Sequence, residues 1–407
     1  MKSLMQGNIL AAAIGLMWAA IVALSVAVVL AFSTGAAVLP GLLVASIAGL
    51  VTGLAAIHLK LPKTTQIITL SLIAGAIVFA LNAAQPFALP LSEHTISQLI
   101  ALIALALAIG WPLQAMFAET PSGALDRHQF EQPLLEFFSA AGGVFFVAIV
   151  AVPFYVMVMT SLKSQQELIA NPLDFSIDLS QGWALFRSYT ELFQQYGFGR
   201  YLSISFFVSV LTVFITLLFS VPGAYAVARL RFKGQAMMSR SILLIYMVPM
   251  IVLALPIYIA FSVLELRNTL TGLVLIYPMT TIPVALYMLQ GYFRGLPAEI
   301  EEAGLMDGLS RLAVIRKITL PLSLPALASV SLYVFMIAWN EFLLAFMLLD
   351  DPKIFTLTRG VSMLNSSEIP RQHLMAGSVL ATVPVMVIFL GLERFMTQGL
   401  TAGSVKG

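Results

Sequence analysis

Ten apolar stretches, each long enough to cross a membrane, constrain this chain more than any other feature. A helix needs about 20 apolar residues to span a hydrocarbon core about 30 Å thick. The stretches cover residues 8–32, 38–59, 66–90, 97–118, 139–160, 201–228, 238–262, 270–292, 323–349 and 374–396. The sequence therefore predicts an all-α integral membrane protein with about ten transmembrane helices.

The composition supports the same fold class and excludes several functions. Hydrophobic residues make up 60% of the chain and charged residues 10%, against about 45–50% and about 25% in soluble domains. The net charge is +2, and the sequence contains no Lys/Arg run suited to binding nucleic acid. With no cysteine and only four dispersed histidines, neither thiol chemistry nor a metal cluster is expected.

The distribution of positive charge predicts the orientation. Placing the N-terminus in the cytoplasm puts fourteen of the 21 Lys and Arg residues in cytoplasmic loops and seven outside. By the positive-inside rule, both termini are predicted to be cytoplasmic, and so is the polar loop at 297–321. The first stretch is longer than the usual signal-peptide core of about 7–15 residues, so it is interpreted as a retained anchor.

A polar segment divides the chain into two parts. Residues 119–138 are predicted to be a cytoplasmic linker, with four apolar stretches before it, in residues 1–118, and six after it, in residues 139–407. Because four is an even number, the leading helices leave the orientation of the remaining six unchanged. Small residues in the first part are expected to permit close helix packing; they are Gly35, Gly41, Gly49, Gly53 and Gly75.

The loop at 297–321 carries the signals of two short helices joined by a turn. Pro297 suits a helix start, Asp307-Gly308 predicts a helix stop, and Ser310 can cap a second helix. Ala303 and Gly304 have almost no side chain, so another protein surface can approach the backbone closely. On these features alone, an ordinary amphipathic helix at the membrane surface is an alternative.

The spacing within this loop resembles a known motif. Its residues are Glu302-Ala303-Gly304, three residues, Gly308, nine residues, Ile318, one residue, and Leu320-Pro321. This pattern resembles the EAA loop of ATP-binding-cassette (ABC) importer permeases, with Gly304 where the second Ala usually stands. The resemblance implies a type I importer permease core of six helices and makes residues 297–321 its coupling loop.

Further motifs extend the likeness over residues 137–407. They are PFYVMVMTSLKS (153–164), GAYAVARLRFKG (223–234), IPVALYMLQGYF (282–293), AWNEFLLAF (338–346) and GLTAGSVKG (399–407). They resemble the smaller permease of maltose-type importers, in the carbohydrate-uptake subfamily. Residues 1–118 match nothing in that pattern and are interpreted as a four-helix N-terminal extension.

The resemblance implies the partners and the location. It implies a second homologous permease subunit, a cytoplasmic ATPase dimer and an extracytoplasmic solute-binding protein, assembled in the cytoplasmic (inner) membrane of a bacterium or archaeon. The chain has no GxxxxGK[ST] phosphate loop. It is therefore expected to be a transporter subunit and not an enzyme, to bind no cofactor itself, and to use ATP and Mg²⁺ through the partner ATPase.

The resemblance also implies two sets of ATPase-contacting residues. The first set lies in the coupling loop and comprises Glu301, Glu302, Ala303, Gly304, Asp307, Gly308, Ile318, Leu320 and Pro321. The second set is the C-terminal tail, comprising Gly403, Ser404, Val405, Lys406 and Gly407.

Three residues in the ninth apolar stretch are candidates for the solute pathway. Trp339, Asn340 and Glu341 stand in the middle of residues 323–349. Ionisable groups at membrane depth usually face a cavity or the bundle interior, and a carboxylate, an amide and a flat ring suit a sugar. An interhelical hydrogen bond that only fixes packing is the alternative.

Other function classes remain open at this level. An ion-coupled secondary transporter is expected to show inverted repeats and intramembrane charges, whereas this sequence shows no convincing repeat. An intramembrane enzyme needs a nucleophile paired with a base, and no such pair is evident. A sugar or oligosaccharide is the expected solute, although polyol, glycerophosphodiester and glycerol-phosphate importers share the architecture.

Overall fold

A computed structural model describes residues 6–82, 87–89, 94–172 and 174–401, with backbone only at 243, 246 and 392–401. Over these residues the fold is helical, and its one β-bridge pairs Gln6 with Ala124. The helices are α1 (Gly7–Thr34), α2 (Leu42–His58), α3 (Lys63–Leu81), α4 (Thr95–Phe117), α5 (Arg127–Ser161), α6 (Gln165–Ala170), α7 (Arg187–Gln195), α8 (Phe198–Arg229), α9 (Gln235–Tyr246), α10 (Met250–Val263), α11 (Leu270–Gly295), α12 (Ala298–Met306), α13 (Arg311–Val314), α14 (Leu320–Leu322), α15 (Leu324–Asn340), α16 (Leu343–Leu348), α17 (Leu357–Met363) and α18 (Arg371–Thr401).

Each of the ten predicted apolar stretches coincides with one or two helices of the described residues. Seven are long and apolar enough to cross a membrane by themselves, namely α1, α3, α4, α5, α8, α11 and α18. An eighth, α15, continues from residues 311–322 through a bend of 74°. The remaining two, α2 and α10, are shorter apolar helices. The predicted all-α membrane fold is confirmed.

Two of the predicted spans are interrupted. The stretch at 238–262 divides into α9 and α10 before Pro249, which precedes the first residue of α10. Within the stretch at 323–349, α15 ends at Asn340 and α16 begins at Leu343. Proline breaks the first because it has no amide hydrogen. A side-chain cap on the following helix accompanies the second break.

The chain divides into two compact units, Met1–Leu185 and Phe186–Gly407. The boundary lies well after the predicted linker at 119–138, and α5 belongs to the first unit. The last part of that linker is helical, because the side chains of Asp126 and Gln129 form a reciprocal capping box that starts α5 at Arg127. The assignment of residues 139–407 to a separate permease core stays a prediction.

The core of the first unit depends on contact between backbones. A Cβ added to Gly49 would lie 2.1 Å from the carbonyl oxygen of Gly15, and one added to Gly53 would lie 2.3 Å from that of Ala11. Helices α1 and α2 therefore touch along a face with almost no side chains, which is how membrane helices gain dispersion contacts without a hydrophobic driving force. The predicted close packing is confirmed for Gly49 and Gly53.

Polar and aromatic contacts hold the end of α5 to α1 within this unit. The Tyr155 ring stacks on Phe32, with centroids 5.1 Å apart, and its hydroxyl donates to the carbonyls of Phe32 and Phe175. Nearby, Lys163 pairs with Asp174 at 2.9 Å. Burial would raise the pKa of Asp174, but hydrogen bonds from Ser176 and Lys163 outweigh it and hold the pKa at about 2.

The second unit is built around α8, α11, α15 and α18, which pack on one another. One apolar cluster, centred on Tyr277, Phe335 and Trp339, fills the space between them. A smaller cluster around Tyr225, Leu289 and Phe293 joins the ends of α8 and α11 beside the 297–321 loop. The loop is therefore supported by the termini of two long helices.

Candidate functional site

The loop at 297–321 forms two short helices joined by a tight turn, as predicted. Helix α12 begins after Pro297, and Gly308 ends the turn with a φ of +85°. The Ser310 hydroxyl accepts a hydrogen bond from the Ala313 amide and starts α13. The backbone then continues as a π-helical turn, Ile315–Thr319, before Pro321. Such turns are rare and occur often at functional sites.

Packing inside the loop leaves no room for a side chain at Gly304. A Cβ at Gly304 would lie 2.6 Å from Cδ1 of Ile318 and 3.4 Å from Cγ2 of Val314. Gly304 is buried by these residues, so the expectation that it leaves room for another protein is wrong for this position. The neighbouring Ala303 is exposed, so a partner protein can still approach the backbone at that residue.

The outer face of the loop is exposed and partly apolar. Met306 is 88% exposed and Leu312 is 74% exposed. The exposed predicted coupling residues are Glu302, Ala303, Asp307, Gly308 and Pro321, whereas Ile318 and Leu320 are half-buried. The loop therefore presents two highly exposed apolar side chains together with charged ones.

Glu301 points in the opposite direction, into the unit. One oxygen of its carboxylate accepts a hydrogen bond from Tyr225 at 3.1 Å, and the other accepts one from Thr319 at 3.0 Å. The Nε atom of Arg229 lies 3.6 Å from the carboxylate, and both charged side chains are only 13% exposed. Sequence reasoning placed Glu301 with the outward-facing residues and missed these partners.

The three pathway candidates lie at the end of helix α15 and not inside a continuous helix. Trp339 is buried, stacks on Phe335 at 5.5 Å and donates its Nε1 hydrogen to the carbonyl of Ala381. Asn340 is exposed, and its side-chain amide donates to the carbonyl of Met336, one turn earlier.

Glu341 caps the next helix. Its carboxylate accepts hydrogen bonds from the backbone amides of Leu344, at 2.7 Å, and Ala345, at 3.1 Å. The placement of Glu341 within a continuous span is therefore wrong, because a carboxylate in this position satisfies amides that the first turn of α16 leaves unpaired.

Replacing Glu341 by Gln is expected to lower the melting temperature by a few degrees. The amide keeps the volume but has one acceptor oxygen in place of two and no charge at the start of α16, a loss of about 1 kcal/mol. Thermal unfolding of the purified protein measures it, with the exposed Glu368→Gln as the matched control. Identical melting temperatures for native protein and Glu341→Gln would contradict the capping role.

A buried row of small polar side chains along α8 was not anticipated from the sequence. The row comprises Ser205, Ser209, Thr212, Thr216 and Ser220. The Thr216 hydroxyl lies 2.6 Å from that of Thr281 on α11, within hydrogen-bonding distance. The signal was present in the sequence as a spacing of three and four residues, which places all five on one helix face.

The predicted ATPase-contacting tail, residues 403–407, lies outside the described residues. The described part of α18 ends at Thr401, so the prediction for the tail stays untested.

A family profile matches part of the second unit, and individual relatives match about two-thirds of the chain. The profile of a family described as binding-protein-dependent transport system inner membrane component matches residues 220–401. The inner membrane ABC transporter permease protein YcjP of Escherichia coli is 38% identical over 65% of this chain and 95% of its own length. The trehalose/maltose transport system permease protein MalG of Thermococcus litoralis is 32% identical over 68% and 99%.

Two further comparisons concern a sugar permease and the fold. The arabinooligosaccharides transport system permease protein AraQ of Halalkalibacterium halodurans is 31% identical over 68% of this chain and 98% of its own length. A crystal structure of a bacterial ABC transporter involved in the import of the acidic polysaccharide alginate has a chain with a TM-score of 0.56 and 21% identity, covering 66% of this chain and 98% of that chain. About a third of the present chain has no counterpart in these proteins.

Proposed function

This chain belongs to the family of binding-protein-dependent inner membrane permeases of ABC importers, and from that premise we propose that its solute is a sugar or an oligosaccharide. It is a multi-pass transporter subunit and not an enzyme, since ATP hydrolysis in this family is supplied by a partner ATPase. The names of the relatives support the solute class: MalG and AraQ are described as permeases for trehalose/maltose and arabinooligosaccharides.

Uptake by the reconstituted complex tests the solute class. The native complex, with its ATPase and its extracytoplasmic binding protein, is placed in liposomes and offered radiolabelled mono- and oligosaccharides, a polyol and glycerol 3-phosphate. ATP-dependent uptake of at least one saccharide and of neither other solute is expected. Uptake of the polyol or of glycerol 3-phosphate alone would overturn the proposal and support the alternative solute class.

The outer face of the 297–321 loop is proposed to be the ATPase-docking surface. The observation that carries it is the exposure of Met306 and Leu312, together with Glu302, on a helical hairpin in which Ile318 packs against Gly304. Exposed apolar anchors surrounded by polar residues are the usual composition of a protein-binding surface. ATP and Mg²⁺ then act through the ATPase, and this chain holds neither.

Cross-linking from Met306 and Leu312 is expected to capture the ATPase. The chain contains no cysteine, so Met306→Cys and Leu312→Cys each give a single site for a maleimide–benzophenone probe. Irradiation of the assembled complex is expected to join this chain to the ATPase from both sites. Met363→Cys is the control, because Met363 is an exposed methionine at the end of α17, in a segment predicted to lie outside; it is expected to give no such product. Intact complexes without ATPase adducts at 306 and 312 would contradict docking here.

The orientation and the remaining partners are also proposals. Both termini are placed in the cytoplasm, which is supported by the excess of positive charge on that side. A second homologous permease subunit, an ATPase dimer and an extracytoplasmic binding protein complete the complex, and residues 403–407 are assigned to the ATPase interface by family resemblance. Trp339, Asn340 and Glu341 keep a pathway role as a proposal, which is best supported for the exposed Asn340.

The N-terminal extension is proposed to be a peripheral bundle that does not line the translocation path. Two observations support it. Its four helices share one apolar cluster, to which α5 adds Phe137, and the curated relatives are covered almost from end to end by about two-thirds of this chain. Residues 1–118 are then a separate membrane module placed before the six-helix core.

A further inference from the structure

Three separate segments of the chain meet at the Glu301 carboxylate. Tyr225 and Arg229 come from the last turn of α8, Thr319 comes from the π-helical turn, and Glu301 itself stands in the first turn of α12. The guanidinium of Arg229 also donates to the carbonyl of Leu296, the residue that follows α11. One carboxylate therefore connects both halves of the loop with the ends of two long helices.

The chemistry of this junction makes it stiff. The carboxylate accepts charge-assisted hydrogen bonds from the hydroxyls of Tyr225 and Thr319, which are stronger than neutral ones. It also forms an ion pair with Arg229, whose Nε atom lies 3.6 Å away. Both charged side chains are only 13% exposed, so water replaces lost partners poorly and removing one partner leaves a charge uncompensated. The junction is consequently favoured over any arrangement in which α12 separates from α8.

The other carboxylates of α12 differ from Glu301 in the direction that they face. Glu299 and Glu302 are exposed, whereas Glu301 is turned towards α8. Successive helical residues differ in direction by about 100°, so Glu301 and Glu302 face different surroundings. Charge near the start of α12 is thus divided between an outward group available to a partner and an inward group already engaged.

We propose that Glu301 is an internal tie that transmits displacement of the coupling loop to α8 and α11, rather than a contact to the ATPase. This inference rests on the proposed function, since it presupposes an ATPase that moves α12. When the loop is displaced, the carboxylate carries Tyr225 and Arg229 with it, and Arg229 carries the end of α11. Glu301, Tyr225 and Arg229 are positioning residues that act through the helices they connect.

Glu301→Gln in the full complex is the decisive variant. The amide keeps the size of the side chain but removes the charge and one acceptor, so assembly is expected to be retained while the tie is loosened. Tyr225→Phe removes one hydrogen bond and leaves the ring against Phe293. The measurement is the number of ATP molecules hydrolysed per solute imported, in liposomes that contain the native partners, together with the melting temperature. Glu299→Gln on the same helix is the matched control.

The ATP-to-solute ratio is expected to rise severalfold in Glu301→Gln, because a loosened tie allows ATP hydrolysis to proceed without solute movement. A smaller rise is expected in Tyr225→Phe and none in Glu299→Gln. A native ratio in Glu301→Gln overturns the proposal, and so does a lower melting temperature with the ratio unchanged, which indicates a structural role only. Failure of the proposed function is distinguishable, because the native complex itself would then show no solute-stimulated ATP hydrolysis.

Discussion

Replacing Gly308 by proline is expected to abolish solute uptake while leaving the chain in the membrane. Gly308 has a φ of +85°, whereas proline fixes φ near −65°. Its amide also donates to the carbonyl of Leu305 at 3.1 Å, a bond that proline cannot make. The turn between α12 and α13 must therefore open, at a cost of about 3 kcal/mol or more. Reconstituted uptake and solute-stimulated ATP hydrolysis measure the effect.

Two further variants show whether the loss belongs to the turn. Gly308→Ala keeps the amide and is expected to cost only about 1–2 kcal/mol, the strain of a left-handed residue with a Cβ, so uptake is reduced but present. Gly234, at another turn, has a φ of +92° and equally open space. Gly234→Pro is expected to lower stability without uncoupling hydrolysis from transport. Native coupling in Gly308→Pro would refute the role of this turn.

Replacing Gly49 by valine is expected to disrupt the N-terminal extension. The first atom of the new side chain would already lie 2.1 Å from the Gly15 carbonyl oxygen and 2.3 Å from the Cβ of Ala19. Backbone cannot move aside as a flexible side chain does, so the cost is expected to reach the upper part of the usual 1–3 kcal/mol range for overpacking. A fall in melting temperature on the order of 10 °C follows for a unit of this size.

The same variant tests whether the extension is peripheral. Gly142→Val on α5 is the matched control, because no atom lies within 4 Å of a Cβ there, and it is expected to melt near the native temperature. If the extension does not line the path, Gly49→Val complexes that assemble should import with native selectivity. Altered selectivity with assembly preserved would show that residues 1–118 contribute to the route.

The local conformation of the coupling loop could be predicted because its signals are local. Pro297, Gly308 and Ser310 act through their own φ angle or a cap within three residues, and the structure places each as expected. The break at Glu341 was not predicted. Hydropathy averages over many residues, so two non-helical residues inside an apolar run are not visible to it.

The orientation of side chains was harder to predict than the conformation of the backbone. Glu301 and Glu302 have the same chemistry and the same helix, and only the position of the end of α8 decides that one is engaged and the other exposed. Gly304 was predicted to admit another protein, but the atoms that approach it belong to Ile318 of the same loop.

The sequence by itself determined that this chain is a helical membrane protein of the importer-permease family, with two short helices joined by a turn at 297–321. Apolar length, residue spacing and capping are properties of short segments, and they survive in any arrangement of those segments. The tertiary structure alone decided that Gly49 touches Gly15, that Gly304 is filled by Ile318, and that Glu301 joins α8 to the loop. These contacts join residues that are distant along the chain, so their partners are fixed by how the helices pack and not by any local pattern.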